Sequence, residues 1–542
     1  MLDRVAGGDD AAIAEEAVAG ADRGGGRRRS GRAAERSWPS FAGRFGLPAI
    51  PAAAALAVSF WGISRPSFWM DEAATISMAS RDLPDLERAV TENLDLVHAC
   101  YYLVMRQWMA FFGHDELALR SLSALATAVA AAGVTALGRR CASAWVGLVA
   151  GLVYAGNVTV TRYAQEARPF ALATTAAVVA AYLLVRALQS PRWWWAWLAG
   201  HTVAMILVGL LNLFTLLLVP ALLVTVAWGL FNGVARKRVA LGWIVSMAVT
   251  GGALYRFAVM ARGQKQQVKS IPSPTWDDVW QLVEFLAGHR TLIWMTLVAT
   301  VLGLVAGVRR KAWIRREHDG VRPAPTLTML AAPWLLLSPA VLLLVSLSTP
   351  LYRHRYMVFC LPALALLIAA ALVWTARVWR PLPLAGLAVL AWLAVPQQIV
   401  IRGEDERWDD LRTPANVLRA QARPGDAVLF LTPAMRWRAS GYPDAYRGLD
   451  DVMMQRSPVE AGNLLGVDAG LETLKLRMCA ERRVWVLWDF GGRRGVPPWV
   501  EARLRFVGYG GDFVTVREWN YKRGRLSLMI LSPAAEPRRG CP

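Results

Sequence analysis

Apolar residues collect along the chain in runs close to the ~20 that a helix needs to cross the hydrocarbon core of a bilayer, and short basic segments separate the runs. Spans are predicted near residues 45–63, 119–137, 144–160, 170–185, 193–210 and 212–230, then 239–258, 291–308, 327–347, 356–375 and 382–399. Between the first two lies a stretch of another kind, FWMDEAATISMASRDLPDLERAVTENLDLVHACYYLVMRQWMAFFGHDELALR, residues 68–120. Its apolar residues recur at helical spacing among charges over 72–90 and 98–112, which predicts two amphipathic helices lying along a membrane surface. After 401 the pattern changes again. Its spacing predicts a helix over 409–422, a strand over 427–431, a helix over 471–481 and a strand over 484–488. A helix and paired strands at 513–518 and 525–531 follow, with turns at Arg423-Pro-Gly-Asp and Tyr521-Lys-Arg-Gly, which together read as a small α/β domain.

Composition agrees with the pattern. Among 542 residues, 55% are hydrophobic and 25 are Trp, and the mean hydropathy is positive, which is polytopic membrane composition rather than soluble globular composition. The net charge of +20 does not point to nucleic acid, because the basic residues fall in groups between apolar runs. With the amino terminus inside, the inner loops carry Arg139 and Arg140, Arg186 and Arg192, and Arg236 to Arg238. The last two carry Arg309 to Lys311 with Arg315 and Arg316, and Arg377 with Arg380. Every inner loop is basic, as cytoplasmic loops are. That orientation predicts a multi-pass plasma-membrane protein of about eleven spans, with residues 64–119 and the domain over 401–542 extracytoplasmic. Residues 1–44 are rich in Ala, Gly and Arg, lack an apolar face, and read as a disordered cytosolic tail without a cleavable signal peptide. The five cysteines show no metal-ligand spacing; Cys479 and Cys541 would share the outer compartment and could pair.

Topology makes the outer charges informative. Asp71 and Glu72 follow the first span directly. A carboxylate beside apolar surface can serve as a base near neutral pH, although an acidic pair at a helix start also needs no role beyond opposing the macrodipole. The adjacent acids could hold a divalent cation, though two acids alone make a weak site. Arg162, Glu166 and Arg168 lie in the turn TRYAQEARPF, and Arg353, His354 and Arg355 in LYRHRY. Two outer turns, each with a pair of Arg, suit a phosphate clamp, since guanidinium binds phosphate oxygens bidentately. The plain alternative is cationic side chains snorkelling to lipid head groups. Lys265 and Lys269 in the loop over 261–290 could add to that field or simply be solvated. His98 could donate to a phosphate or only begin a helix, and Asp95 before it reads as an N-terminal cap. His201 and Asn212 read as structural polar residues.

Four motifs in order, FWMDEA, HACYYLVMRQWMAFFGHDELALRSLSAL, RYAQEARPFAL and RHRYMVFCLPALALL, resemble the membrane glycosyltransferases of glycosyltransferase family 39. That family includes protein O-mannosyltransferases and, as a close relation, the lipid A aminoarabinose transferase. The resemblance covers residues 43–375. It implies a GT-C fold, a polyprenyl-phosphate-linked sugar as donor, and transfer with inversion on the outer side of the membrane. It also implies that Asp71 activates the acceptor hydroxyl with Glu72 assisting, and that Arg120 and Arg168 order the donor side. His98-Ala99-Cys100 stands where the family has His-Pro-Pro or Lys-Pro, so the imidazole is kept and the rigid turn is lost. The expected function is hexose transfer, of mannose, to an exported protein, lipid or glycan. His98, Arg120, Arg162, Arg168, Arg353 and Arg355 are the candidate phosphate ligands, and Glu166, Lys265 and Lys269 the candidates for positioning donor or acceptor. A polytopic transporter or lipid flippase is the alternative; it would hold charge at mid-membrane depth and often show repeat symmetry.

Overall fold

A computed structural model describes residues 41–93, 95–264, 271–317, 326–489, 501, 503–504 and 512–533. Residues 1–40, most of the expected tail, lie outside it, as do Lys265, Lys269 and Cys541. Among the described residues Cys100, Cys141 and Cys360 are free thiols, and Cys479 is disulfide-bonded.

The chain is a helical bundle carrying a small sheet domain at its carboxyl end, a multi-pass membrane protein of the class its hydropathy predicts. The first helix is α1 (Phe41–Phe60). After a loop come α2 (Met70–Ala79), α3 (Leu83–Arg88) and α4 (Ala99–Phe112). The bundle continues with α5 (Glu116–Cys141), α6 (Ala144–Gly156), α7 (Val158–Ala164), α8 (Phe170–Gln189), α9 (Trp194–Leu211), α10 (Leu218–Phe231) and α11 (Lys237–Gly263). Then follow α12 (Trp276–Ala287), α13 (Ile293–Glu317), α14 (Leu327–Ser346), α15 (Leu361–Thr375) and α16 (Leu382–Val400).

Eight described helices are long and apolar enough to cross a membrane, and up to ten spans result if each of two bent pairs is one crossing. In α1 the described apolar part, residues 46–60, is shorter than the test requires. One bend, of 64°, separates α6 from α7. Asn157 causes it locally, because its side chain accepts the Val160 N–H at 3.1 Å and so starts a new helix. The second bend, of 82°, joins α12 to α13. Residues 276–287 were expected to be loop. They form α12 because the Asp278 carboxylate accepts the Thr275 backbone N–H at 2.8 Å and hydroxyl at 2.9 Å, which caps the helix.

Small residues let the spans approach closely. A Cβ on Gly147 would lie 2.4 Å from the Thr135 carbonyl oxygen, so α5 and α6 pack backbone to backbone there. The bundle core is correspondingly rich in Ala, with Ala130, Ala131, Ala150 and Ala177 all inaccessible.

The surface helices expected over 72–90 and 98–112 are corrected in two respects. The first is broken, since Asp82 accepts the Asp85 N–H at 2.9 Å and opens α3 as a separate helix. Nor does α2 lie on a surface: Glu72, Ala73, Ala74, Thr75, Ile76, Met78 and Ala79 are buried in it. In α4 an apolar side stays exposed, at Leu103, Val104, Phe111 and Phe112.

The carboxyl-terminal domain contains α17 (Arg412–Gln421), α18 (Ala434–Ala439) and α19 (Leu471–Ala480). Its strands are β1 (Ala427–Phe430), β2 (Asp450–Asp451), β3 (Met454–Arg456), β4 (Val467–Asp468), β5 (Arg483–Asp489), β6 (Phe513–Tyr521) and β7 (Gly524–Leu531). Five make one sheet in the order β2-β1-β5-β7-β6, and β3 pairs with β4 apart from it. The β2-β1-β5 half is parallel and the β5-β7-β6 half antiparallel. Side chains alternate between two cores, as the pleat requires. Ala427, Leu429, Val484 and Val486 pack with α19 on one face. Val428, Phe430, Trp485 and Leu487 pack with α17 and α18 on the other. That second face turns toward the bundle, where α18 packs on α2.

Candidate active site

The site forms where the first turn of α2 meets the start of α5, the turn between α7 and α8, and the approach to α15. Consecutive helical residues point about 100° apart, so Asp71 and Glu72 leave α2 in different directions.

Glu72 points inward and is 0% exposed. Its Oε1 accepts Arg120 Nε–H at 2.8 Å and the Ala167 backbone N–H at 2.9 Å, and its Oε2 accepts Arg120 Nη2–H at 2.7 Å. The remaining donors of Arg120 go to the carbonyls of Ile63 at 2.8 Å, Pro66 at 2.9 Å and Ser67 at 3.0 Å. All five N–H groups of that guanidinium are therefore used. Burial pushes the Glu72 carboxyl up, but the charge and hydrogen bonds of Arg120, with Arg407 and the Ala167 N–H, outweigh it and hold Glu72 below its ordinary value.

Asp71 points the other way and keeps 19% of its side chain exposed. Its Oδ2 accepts Arg355 Nη1–H at 3.0 Å. Arg168 lies on the same side, with Nη1 3.4 Å from the Asp71 carbonyl and 3.4 Å from Thr75 Oγ1. Its Nη2 is 3.2 Å from His98 Nε2. Guanidinium only donates, so His98 Nε2 accepts, and the imidazole proton sits on Nδ1, 2.7 Å from Asp95 Oδ1. Tyr102 donates its hydroxyl to Asp95 Oδ2 at 2.6 Å. Asp95 is thus not the cap expected of it. It adopts a left-handed backbone, φ 59°, and its side chain makes no capping hydrogen bond. Strain of that kind at a non-glycine residue is held by surrounding contacts, here to His98 and Tyr102. The Nε–H groups of Arg168 and Arg355 are buried and have no hydrogen-bond partner among the described residues.

The expected site residues divide accordingly. Asp71, His98, Arg168 and Arg355 come together. Arg120, expected to hold donor phosphate, has no donor left and instead fixes Glu72 and the loop before α2. Arg162 pairs with Glu406 at 3.0 Å, Arg353 is exposed, and Glu166 is buried against Arg407 at 3.6 Å. Burial raises the Glu166 carboxyl; Arg407 opposes this and Glu72 adds to it. Lys265 and Lys269 lie outside the described residues. A divalent cation shared by Asp71 and Glu72 does not fit, because both oxygens of Glu72 are turned into the core and taken. Among the described residues no group of three His, Cys, Asp or Glu side chains converges as a metal site would need. His201 is a structural residue, as expected: its Nδ1 meets the Ala180 carbonyl at 2.9 Å and its Nε2 accepts from Trp243 at 3.2 Å. Asn212 likewise caps the turn after α9, accepting the Phe214 N–H at 2.9 Å.

Sequence reasoning missed Thr75, Tyr102 and Arg407. Tyr102 had a local signal, since it follows His98 by one helical turn. Arg407 had none, being far along the chain. The arrangement offers one carboxylate with access to solvent, flanked by two guanidinium groups that can receive an anion. A base and an anion site a few ångströms apart suit displacement of a phosphate from a carbon centre.

Residues 100–261 match the model of a family described as dolichyl-phosphate-mannose-protein mannosyltransferase. No curated protein matches the chain. Two crystal structures of ArnT from Cupriavidus metallidurans share its fold. The apo form aligns with TM-score 0.58 at 15% identity, and the form bound to undecaprenyl phosphate with TM-score 0.55 at 16%. Each alignment covers 88% of this chain and 97% of the other. The chain has the GT-C fold that the resemblance implies, and the family match covers the second motif from Cys100 on and all of the third.

Proposed function

We propose that this protein is an integral-membrane glycosyltransferase that moves a hexose, mannose, from a polyprenyl-phosphate donor to an exported acceptor, with inversion. The observation that carries it is the placing of Asp71 against Arg355 and Arg168 at one mouth of the bundle. The match to a mannosyltransferase family model supports the sugar, and the ArnT complex with undecaprenyl phosphate supports the lipid. Basic loops at the opposite end support an outward-facing site.

In the resting site Arg355 holds one oxygen of Asp71. A donor phosphate engages the guanidinium groups of Arg355 and Arg168 and loosens that hold. Asp71 then takes the proton of the acceptor hydroxyl. The acceptor oxygen attacks C1 from the face opposite the phosphate, and the C1–O bond breaks with its electron pair passing to the phosphate oxygen. Charge grows on the departing polyprenyl phosphate as the bond opens, and two guanidinium groups in a partly dry site stabilise it. His98 accepts from Arg168 and sets its orientation; Asp95 sets the tautomer of His98.

The test is transfer by purified protein from polyprenyl-phosphate mannose, with Asp71→Asn beside the wild type. The variant is expected to bind donor and melt as the wild type does while transfer is lost. Wild-type turnover by D71N would remove Asp71 from the reaction. Lipid flux in proteoliposomes without acceptor would instead favour a flippase.

A further inference from the structure

Residues 402–412 join the last span to the sheet domain, and although Gly403, Glu404 and Trp408 are exposed, the segment turns other side chains into the protein. Arg402, Arg407 and Asp409 are each at most 3% exposed. Arg407 reaches the turn between α7 and α8, where it donates to the Gln165 carbonyl and pairs with Glu166 at 3.6 Å. That turn presents Ala167 N–H to Glu72 and Arg168 to Asp71. Asp409 Oδ2 accepts the Met70 N–H at 3.2 Å, so the first turn of α2, which carries Asp71, is capped by a residue from the other end of the chain. Arg412 donates to the carbonyls of Ser64 at 2.7 Å and Arg65 at 2.8 Å and to Glu116 at 2.7 Å, which secures the loop leading into α2.

The sheet domain in turn holds this segment. Lys522, in the turn between β6 and β7, donates to the Arg407 carbonyl at 2.6 Å, and Arg523 stacks over Trp408 at 4.2 Å. Charge explains why a cation is needed. Glu72 and Glu166 are both buried, and Arg120 neutralises only Glu72; Arg407 supplies the second positive charge. Burial and the nearby Arg120 depress Arg407 to about 10, so it stays charged at neutral pH.

We propose that the 402–412 segment is a strap through which the sheet domain sets the geometry of the catalytic helix, with Arg407 and Asp409 as positioning residues. This rests on the glycosyltransferase function proposed above for its kinetic consequence, but not for its structural one. Arg407 orients the 165–168 turn, and with it Arg168. Asp409 fixes the first turn of α2, and with it Asp71.

The experiment compares Arg407→Met, the compensated double variant E166Q/R407M, Asp409→Ala and Asp409→Asn in the full-length protein. Transfer kinetics are read beside amide hydrogen exchange over residues 70–75 and 165–168. R407M should lower kcat about 100-fold, the scale of a misplaced catalytic group, with donor KM changed by no more than about threefold. It should also speed exchange over 165–168. E166Q/R407M, which no longer buries an unpaired carboxylate, should recover at least about tenfold of the lost kcat and most of the protection. D409A should lower kcat about tenfold, and D409N, whose amide oxygen still accepts from Met70, should restore it. If R407M cannot be recovered folded, E166Q/R407M decides, and a double variant as inactive as D71N overturns the proposal. Unchanged exchange in R407M and D409A also overturns it, as does a double variant no better than R407M. Altered exchange in the variants, beside a wild type that transfers no sugar, would leave the strap standing and remove the glycosyltransferase function.

Discussion

Asp71 and Glu72 are neighbours in sequence, both acidic and both in the first turn of one helix, yet their surroundings differ. Glu72 is enclosed and saturated by Arg120 and a backbone N–H. Asp71 keeps solvent access and, among the described residues, a single side-chain hydrogen-bond partner, itself 35% exposed. The difference follows from helical geometry: one residue of rotation carries a side chain from core to mouth. A buried ion pair whose hydrogen bonds are complete holds structure and has no capacity left for a substrate. A half-exposed pair can exchange partners, which is what a base beside a phosphate site has to do.

Substitutions at the two carboxylates should therefore separate activity from stability. D71N should cost about 10²- to 10⁴-fold in turnover, the range for loss of a general base, with little change in melting temperature. E72Q should do the reverse, which thermal unfolding in detergent measured beside transfer would show. Equal loss of activity and stability in both variants would break the distinction.

The arginine partners extend it. R120M leaves the Glu72 carboxylate buried without its cation and strips three carbonyls of a donor, and should destabilise by about 3–5 kcal/mol. Denaturant or thermal unfolding reads this directly. R355M removes a partly exposed partner and should cost at most about 1 kcal/mol in stability. It should instead weaken binding of polyprenyl phosphate by about tenfold or more, the scale of a charge-assisted hydrogen bond, as titration would show.

Acid sensitivity should also belong to Glu72. Its folded value lies below the ordinary 4.5. Between the two values the unfolded chain binds more protons, so stability rises with pH across that window. The contribution is complete above about pH 4.5 and is lost as pH falls through the lowered folded value. Melting temperature followed from pH 6 downward should show this acid limb in the wild type and a shallower one in E72Q.

Hydropathy alone was enough to place most of the spans, because a bilayer demands long apolar helices whatever their neighbours. It was also enough to show four of the seven described strands of the carboxyl-terminal domain, β1, β5, β6 and β7, while the two- and three-residue strands β2, β3 and β4 are too short to leave a pattern. Local chemistry marked Asp71, His98, Arg168 and Arg355, since acids, imidazole and paired arginines at span ends stand out from apolar surroundings. Helix breaks at Asn157 and Asp82, and the capped helix over Trp276–Ala287, turned on single side-chain hydrogen bonds that periodicity does not register. The separate fates of Asp71 and Glu72 were beyond the sequence, because each depends on a partner brought from elsewhere: Arg120 from α5, Arg355 from the approach to α15. The same holds for Arg407, whose pairing with Glu166 joins residues nearly half the chain apart and exists only once the bundle and the sheet domain are packed together.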